Sequence, residues 1–204
     1  MRPPTHPPIR KGRLRLAVLI GSAHNGRSGP MVGRWFVGQA RQRGDLDVDA
    51  VDLPAAGLPP GIPERTPDGG YLCDEVAAYA ARMAAADAYV VITPEYNRGY
   101  PAPLKHAIDA LYTEWRAKPV GFVSHGGQSG GLRAVEQLRQ VFAELHTVTV
   151  RDSVSFAHVR EVFDESGAPR DAVGANGAAK LMLDELTWWA GVLAEGRARR
   201  PYDF

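Results

Sequence analysis

The sequence predicts an α/β domain, with a five-stranded parallel sheet between two layers of helices. Three observations predict it. Short apolar runs alternate with segments of helical periodicity, five times along 204 residues. Three of those runs end in loops rich in glycine, serine and proline that lead into helices. No repeat and no linker divides the chain, and its length suits one domain with a full core.

Leu14–Ile20, interrupted only by Arg15, reads as a buried parallel strand. Pro30 suits a first helical position, and Val32, Trp35, Phe36 and Ala40 then recur at helical spacing, giving a helix over 30–43. Asp47–Leu53 alternates and reads as an edge strand. Residues 54–70 are proline- and glycine-rich and form a long irregular loop of the kind that is functional or mobile. Leu72, Val76, Tyr79, Ala80 and Met83 mark a helix over 72–86. Ala88–Thr93 is the third strand, Pro101 to Tyr112 the next helix, and Val120–Ser124 the fourth strand. Leu132–Leu145 is amphipathic, with Leu132, Val135, Leu138 and Phe142 inward. Thr147–Val150 makes the fifth strand, extended by Val154–Phe156 past a bend, and residues 157–174 read as irregular. A last helix over Ala175–Glu195 carries Leu181, Met182, Leu186, Trp189 and Leu193 on one side. Five strands in this pattern give the order 2-1-3-4-5, a flavodoxin-like three-layer sandwich whose switch point lies between strands one and three.

The formal net charge of +1 argues against a nucleic-acid surface as the main partner. A single cysteine, Cys73, excludes an intrachain disulfide and fits a reducing compartment. No apolar run is long enough to span a membrane. Residues 1–12 are basic and proline-rich without the apolar centre of a signal peptide, so a disordered leader is expected. The domain is expected over 13–196, a tail over 197–204, and the cytoplasm as the location.

Strand ends that precede helices share one edge of a parallel sheet, and ligands bind there. In the first loop, Ser22, Ser28 and Gly29 lead into a helix N-terminus, an anion site in itself, and Arg27 adds a planar donor. The loop is neither a P-loop nor a dinucleotide fingerprint, and a plain tight turn explains it equally well. In the second loop Pro94 and Pro101 stiffen a segment holding Tyr96, Asn97 and Gly99, which can offer backbone amides and an aromatic face to a heterocycle. Glu95 is expected to pair locally with Arg98. The third loop carries Gly126-Gly127 and Gly130-Gly131, where backbone can approach a planar ring closely, beside His125, which stacks, bonds or packs the loop. Lys105 and Asp109 read as a surface pair four apart on a helix. The apolar Leu104, Ala107, Ile108 and Leu111 of that helix suggest a self-association face. Trp188 and Trp189 read as core and interface aromatics. The six histidines lack metal-site spacing.

Gly21–Gly29, then Thr93-Pro94-Glu95-Tyr96-Asn97 with Gly99–Asp109, then Ser124–Leu138 together resemble the NADPH-dependent FMN reductase family, from about Leu14 to Val150. The resemblance implies non-covalent FMN, hydride transfer from NADPH, and a homodimer or homotetramer. It implies ping-pong transfer onward to a small-molecule electron acceptor such as a free flavin or quinone. Carried over by position, Ser22, Arg27, Ser28 and Gly29 fall on the phosphate loop, with His24 where the family has arginine. Pro94, Glu95, Tyr96 and Asn97 fall on the loop touching ribityl and ring, and Ser124, His125, Gly126 and Gly127 on the ring's polar edge. His106 replaces the family's asparagine after Leu-Lys. A rival expectation is a flavodoxin-like electron carrier or redox-sensing FMN-binding protein without NADPH turnover.

Overall fold

The computed structural model describes residues 12–24 and 26–204. The expected leader therefore lies, apart from Gly12, outside the described residues. In chain order come β1 (Leu14–Ile20), α1 (Gly29–Arg41), β2 (Leu46–Asp52), α2 (Asp74–Ala85), β3 (Ala88–Pro94) and α3 (Ala102–Asp109). They are followed by β4 (Pro119–His125), α4 (Leu132–Glu144), β5 (Val148–Phe156), α5 (Val159–Val162) and α6 (Ala172–Arg199). All neighbouring strands pair in parallel, and the order is β2-β1-β3-β4-β5, as the alternation predicts.

Alternation along each strand sends side chains to two separate cores. Leu16, Val18, Ile20, Val90, Ile92 and Val123 pack with α1 and α6. Ala17, Leu19, Tyr89, Val91, Val120 and Phe122 pack with α2, α3 and α4. Trp115, fully buried, anchors the second core: its indole donates to the Ile108 carbonyl at 3.0 Å, and Tyr89 and Phe142 meet its ring edge-on. The middle strands β3 and β4 are buried along their whole length, whereas β2 is an open edge.

Several boundaries and faces differ from the sequence expectation. The fifth strand is continuous, because a register irregularity opposite Val120 and Phe122 absorbs the bend. A short α5 lies in the segment read as irregular. Helix α6 starts at Ala172, capped by the Asp171 carboxylate accepting from Gly174 N at 2.9 Å, and runs to Arg199, into the expected tail. Leu181 is 60% exposed while Leu183 is buried, so Leu181 leaves the predicted inward stripe. Leu72 and Leu132 are likewise exposed, each just outside or at the mouth of its helix. Trp188 is exposed and meets Trp189 edge-on at 5.0 Å, while Trp189 packs on the first core. Helix α3 spends Leu104, Ala107 and Ile108 on the chain's own second core, so it offers no apolar face for self-association. Among the described residues no helix is long and apolar enough to cross a membrane.

Candidate functional site at the carboxyl edge of the sheet

The three loops meet at one edge because β1, β3 and β4 are adjacent and parallel. Each is tied to the next strand by one more backbone bond. Gly21 N donates to the Ile92 carbonyl at 2.8 Å, Glu95 N to His125 O at 3.1 Å, and Gly126 N to Phe156 O at 3.1 Å. A ring contact joins the first two loops, with His24 and Tyr96 centroids 5.3 Å apart and tilted by 47°.

In the first loop, Ser22 is buried, and its hydroxyl has no hydrogen-bond partner. It lies against Gly29, the first residue of α1, where a Cβ would come within 1.9 Å of the Ser22 oxygen. Ser28 occupies the N-cap of α1, its carbonyl accepting from Met31 and Val32. Arg27 points back to the protein. Its terminal nitrogens grip the Asp52 carboxylate at 2.6 and 2.7 Å, and one of them, Nη1, also donates to the Ser22 carbonyl at 2.7 Å.

The second loop is a two-residue hairpin. Tyr96 and Gly99 exchange backbone bonds at 2.9 and 3.0 Å. Asn97 and Arg98 between them take φ of 49° and 72°, the signs of the type I′ turn. Asn tolerates this region; an Arg there is strained, at a cost of about 1–2 kcal/mol that Gly avoids. Arg98→Gly is expected to raise stability by about 0.5 kcal/mol, since greater unfolded-state freedom takes back part of the gain; urea unfolding checks this. Tyr96 and Asn97 are exposed, whereas Pro94 is buried as the last residue of β3. Glu95 does not pair with Arg98. Its carboxylate takes the Arg133 side chain at 2.6 Å and the Arg133 backbone N–H at 3.1 Å, at the start of α4. Burial pushes this carboxyl up, but hydrogen bonds from Ser129 and Arg133 outweigh it and hold it below its ordinary range. The acid favours the positive end of α4, three dimensions away from its sequence neighbour.

In the third loop, Ser124 turns inward: fully buried, its hydroxyl donates to Gly130 O at 2.8 Å, and Ser155 donates to the same carbonyl at 2.9 Å. Ser124 therefore shapes the loop and presents no hydroxyl to a ligand. Gly130 and Gly131 both adopt positive φ, 62° and 88°. Gly126 and Gly127 lend their carbonyls to Val159 and His158, and Gly127 has open space where a Cβ would stand. His125 is 3% exposed with Nε2 unpartnered; burial, helped by the charge of His24, pushes its pKa down to about 4.

The structure thus gathers Ser22, His24, Ser28, Gly29, Tyr96, Asn97, His125, Gly126 and Gly127 at one edge. Pro94, Glu95 and Ser124 act as its framework. Asp52 and Arg133 were missed in the sequence. The order 2-1-3 puts the end of β2 beside the first loop, which is the signal that points to Asp52. Among the described residues no cluster is suited to a metal ion.

The family model described as NADPH-dependent FMN reductase matches residues 14–161. An NAD(P)H-dependent FMN reductase of Schizosaccharomyces pombe is 37% identical over 131 residues, covering 62% of this chain and 64% of that protein. A probable NADPH:quinone oxidoreductase of Oryza sativa is 38% identical over 109 residues, covering 50% of this chain and 54% of its own length. The chain thus spans less than two thirds of either relative. Among solved structures, the flavoenzyme NAD(P)H:(acceptor) oxidoreductase FerB of Paracoccus denitrificans superposes with a TM-score of 0.68 at 23% identity, covering 86% of this chain and 97% of that one. That likeness is one of fold.

Proposed function

The chain belongs to the NADPH-dependent FMN reductase family, and from that premise we propose that it is an FMN-dependent oxidoreductase passing hydride from NADPH to a small acceptor, a free flavin or a quinone. The observation that carries the reading is the buried, unpartnered Ser22 hydroxyl set against Gly29 at the start of α1, on the edge shared with two further loops. A polar atom without a partner costs free energy unless a ligand satisfies it, and a helix start favours a phosphate. Open space at Gly127 fits a flat ring close to backbone.

In this reading Ser22, Ser28 and the first amides of α1 hold the phosphate of FMN. Tyr96 and Asn97 border the ribityl chain and one side of the ring. The third loop lies along the ring's polar edge, with backbone groups placed to meet charge there. His24 closes the first loop onto Tyr96. The bound flavin supplies the redox chemistry, accepting hydride and passing electrons on. The protein's part is to bind, to orient and to keep one face open to nicotinamide and acceptor in turn, which needs no acid–base side chain. The neutral His125 imidazole, buried beneath the loop, adds no charge to the site at neutral pH. The reading includes a reducing, cytoplasmic setting and a homodimer or homotetramer; exposed Leu181, Trp188 and Val192, spaced along one side of α6, support an apolar contact between copies.

The test is the visible spectrum of the purified chain with added FMN, before and after anaerobic NADPH. Bound flavin that NADPH bleaches is expected. Bound flavin that NADPH leaves oxidised would favour the electron carrier, and a chain that binds no FMN and oxidises no NADPH would sink the reading.

A further inference from the structure

The guanidinium of Arg27 is the one strong phosphate donor that the sequence offers in the first loop, and the structure gives its fork to another anion. Both terminal nitrogens grip Asp52, at 2.6 and 2.7 Å, and one also donates to the Ser22 carbonyl at 2.7 Å. The Arg27 side chain is only 19% exposed. Three of the five N–H donors of a guanidinium are thus used inside the protein. Asp52 ends β2 and pairs in register with Ile20, so its position is fixed by the sheet rather than by a mobile loop. A carboxylate and a phosphate occupy an arginine fork in the same bidentate way. The Nη1–Nη2 end of the guanidinium therefore holds one or the other, and only its Nε edge is left to donate elsewhere.

We propose that Asp52 is an internal substitute for the flavin's phosphate, whose carboxylate holds the Arg27 fork and so sets FMN affinity low enough for the flavin to exchange. The inference rests on the flavin reading above and deepens it by making Asp52 the residue that sets preference between FMN and a flavin without phosphate. Had Asp52 served only to aim Arg27, the fork would be left open toward the loop; instead the end of the guanidinium is closed by it. With the Arg27 charge neutralised, the phosphate would be held by the Ser22 and Ser28 hydroxyls and by backbone amides. These neutral donors bind more weakly than charge-assisted ones. Asp52 also places a negative charge beside the arriving dianion, and like charges at that range repel.

The experiment is a fluorescence titration of the full chain with FMN and, separately, with riboflavin, at several salt concentrations. For the unaltered chain, FMN is expected to bind no more than about tenfold tighter than riboflavin. In Asp52→Asn, FMN should tighten by about tenfold while riboflavin stays unchanged, and the gained affinity should fade with added salt. Asp52→Glu, which keeps the carboxylate, should hold the original ratio. Weaker FMN binding in Asp52→Asn with riboflavin unchanged would overturn the proposal and make Asp52 an aiming residue for Arg27. A preference for FMN of about a thousandfold in the unaltered chain would overturn it without any variant. Binding of neither flavin by the unaltered chain would overturn the flavin reading, and this inference with it.

Discussion

Gly131→Ala is expected to cost about 2–4 kcal/mol of stability and to weaken FMN binding by at least about tenfold. An added Cβ would stand 2.7 Å from the Ser124 Cβ, 2.9 Å from His125 N and 3.0 Å from His125 O, at a φ of 88°. The obstacle is the end of β4, which pairs on both sides and cannot give way. The strain would have to be taken up by the third loop, where Gly130 O is held by two serine hydroxyls. Thermal unfolding should show a midpoint lower by roughly 5–15 °C for a chain of this size. Gly127→Ala is the companion variant. Its Cβ meets nothing within 4 Å, so the fold should be unaffected, and any loss of flavin affinity reports a close approach of the ring to that backbone. An unchanged midpoint in Gly131→Ala would show that the loop has a second conformation of equal stability.

Acid should weaken the fold through His125. Its pKa, pushed down to about 4 by burial and by the charge of His24, lies well below the ordinary histidine value of 6.5. Between those values the unfolded chain binds a proton that the folded chain does not. Stability from this group is therefore complete above the unfolded value and falls as the pH drops from 6.5 toward about 4, by about 3 kcal/mol at the lower end. Carboxylates titrate lower in the same range, so the comparison that isolates the imidazole is with His125→Phe. Urea unfolding of the two chains at neutral pH and near pH 4 should show the loss in the unaltered chain exceeding that in the variant. Equal losses would mean that the imidazole takes its proton in place.

Periodicity carried the strands and their order because a parallel sheet with both faces covered needs continuous apolar runs, and few other arrangements use them. The limits of the sequence lie where chemistry is decided by contacts distant in the chain. Glu95 has Arg98 three residues away, yet the hairpin turns that arginine outward and the start of α4 brings Arg133 instead. Leu181 and Leu183 are both apolar, and the face of α6 that buries Ala179, Met182, Leu186 and Ala190 carries Leu183 inward and Leu181 outward. Ser124 looked like a ligand group on its position alone. Its inward turn depends on the positive φ of Gly130, which brings that carbonyl within reach. Asp52 reads as the end of an alternating edge strand. Its partner lies in a loop of another strand, 25 positions earlier in the sequence.

The extra backbone bonds from Gly21, Glu95 and Gly126, each to the end of the next strand, extend the sheet ladder one rung into the loops. Their consequence is thermodynamic. Where a loop is pinned in this way, less conformational entropy is lost when a ligand arrives, so binding is taxed less by ordering of the pinned residues. Pinned points of this kind favour recognition by shape over closure around a guest. Under the proposed function, a shelf pinned at these three points would seat a thin planar molecule by its shape and leave the far face of that molecule to a second planar partner.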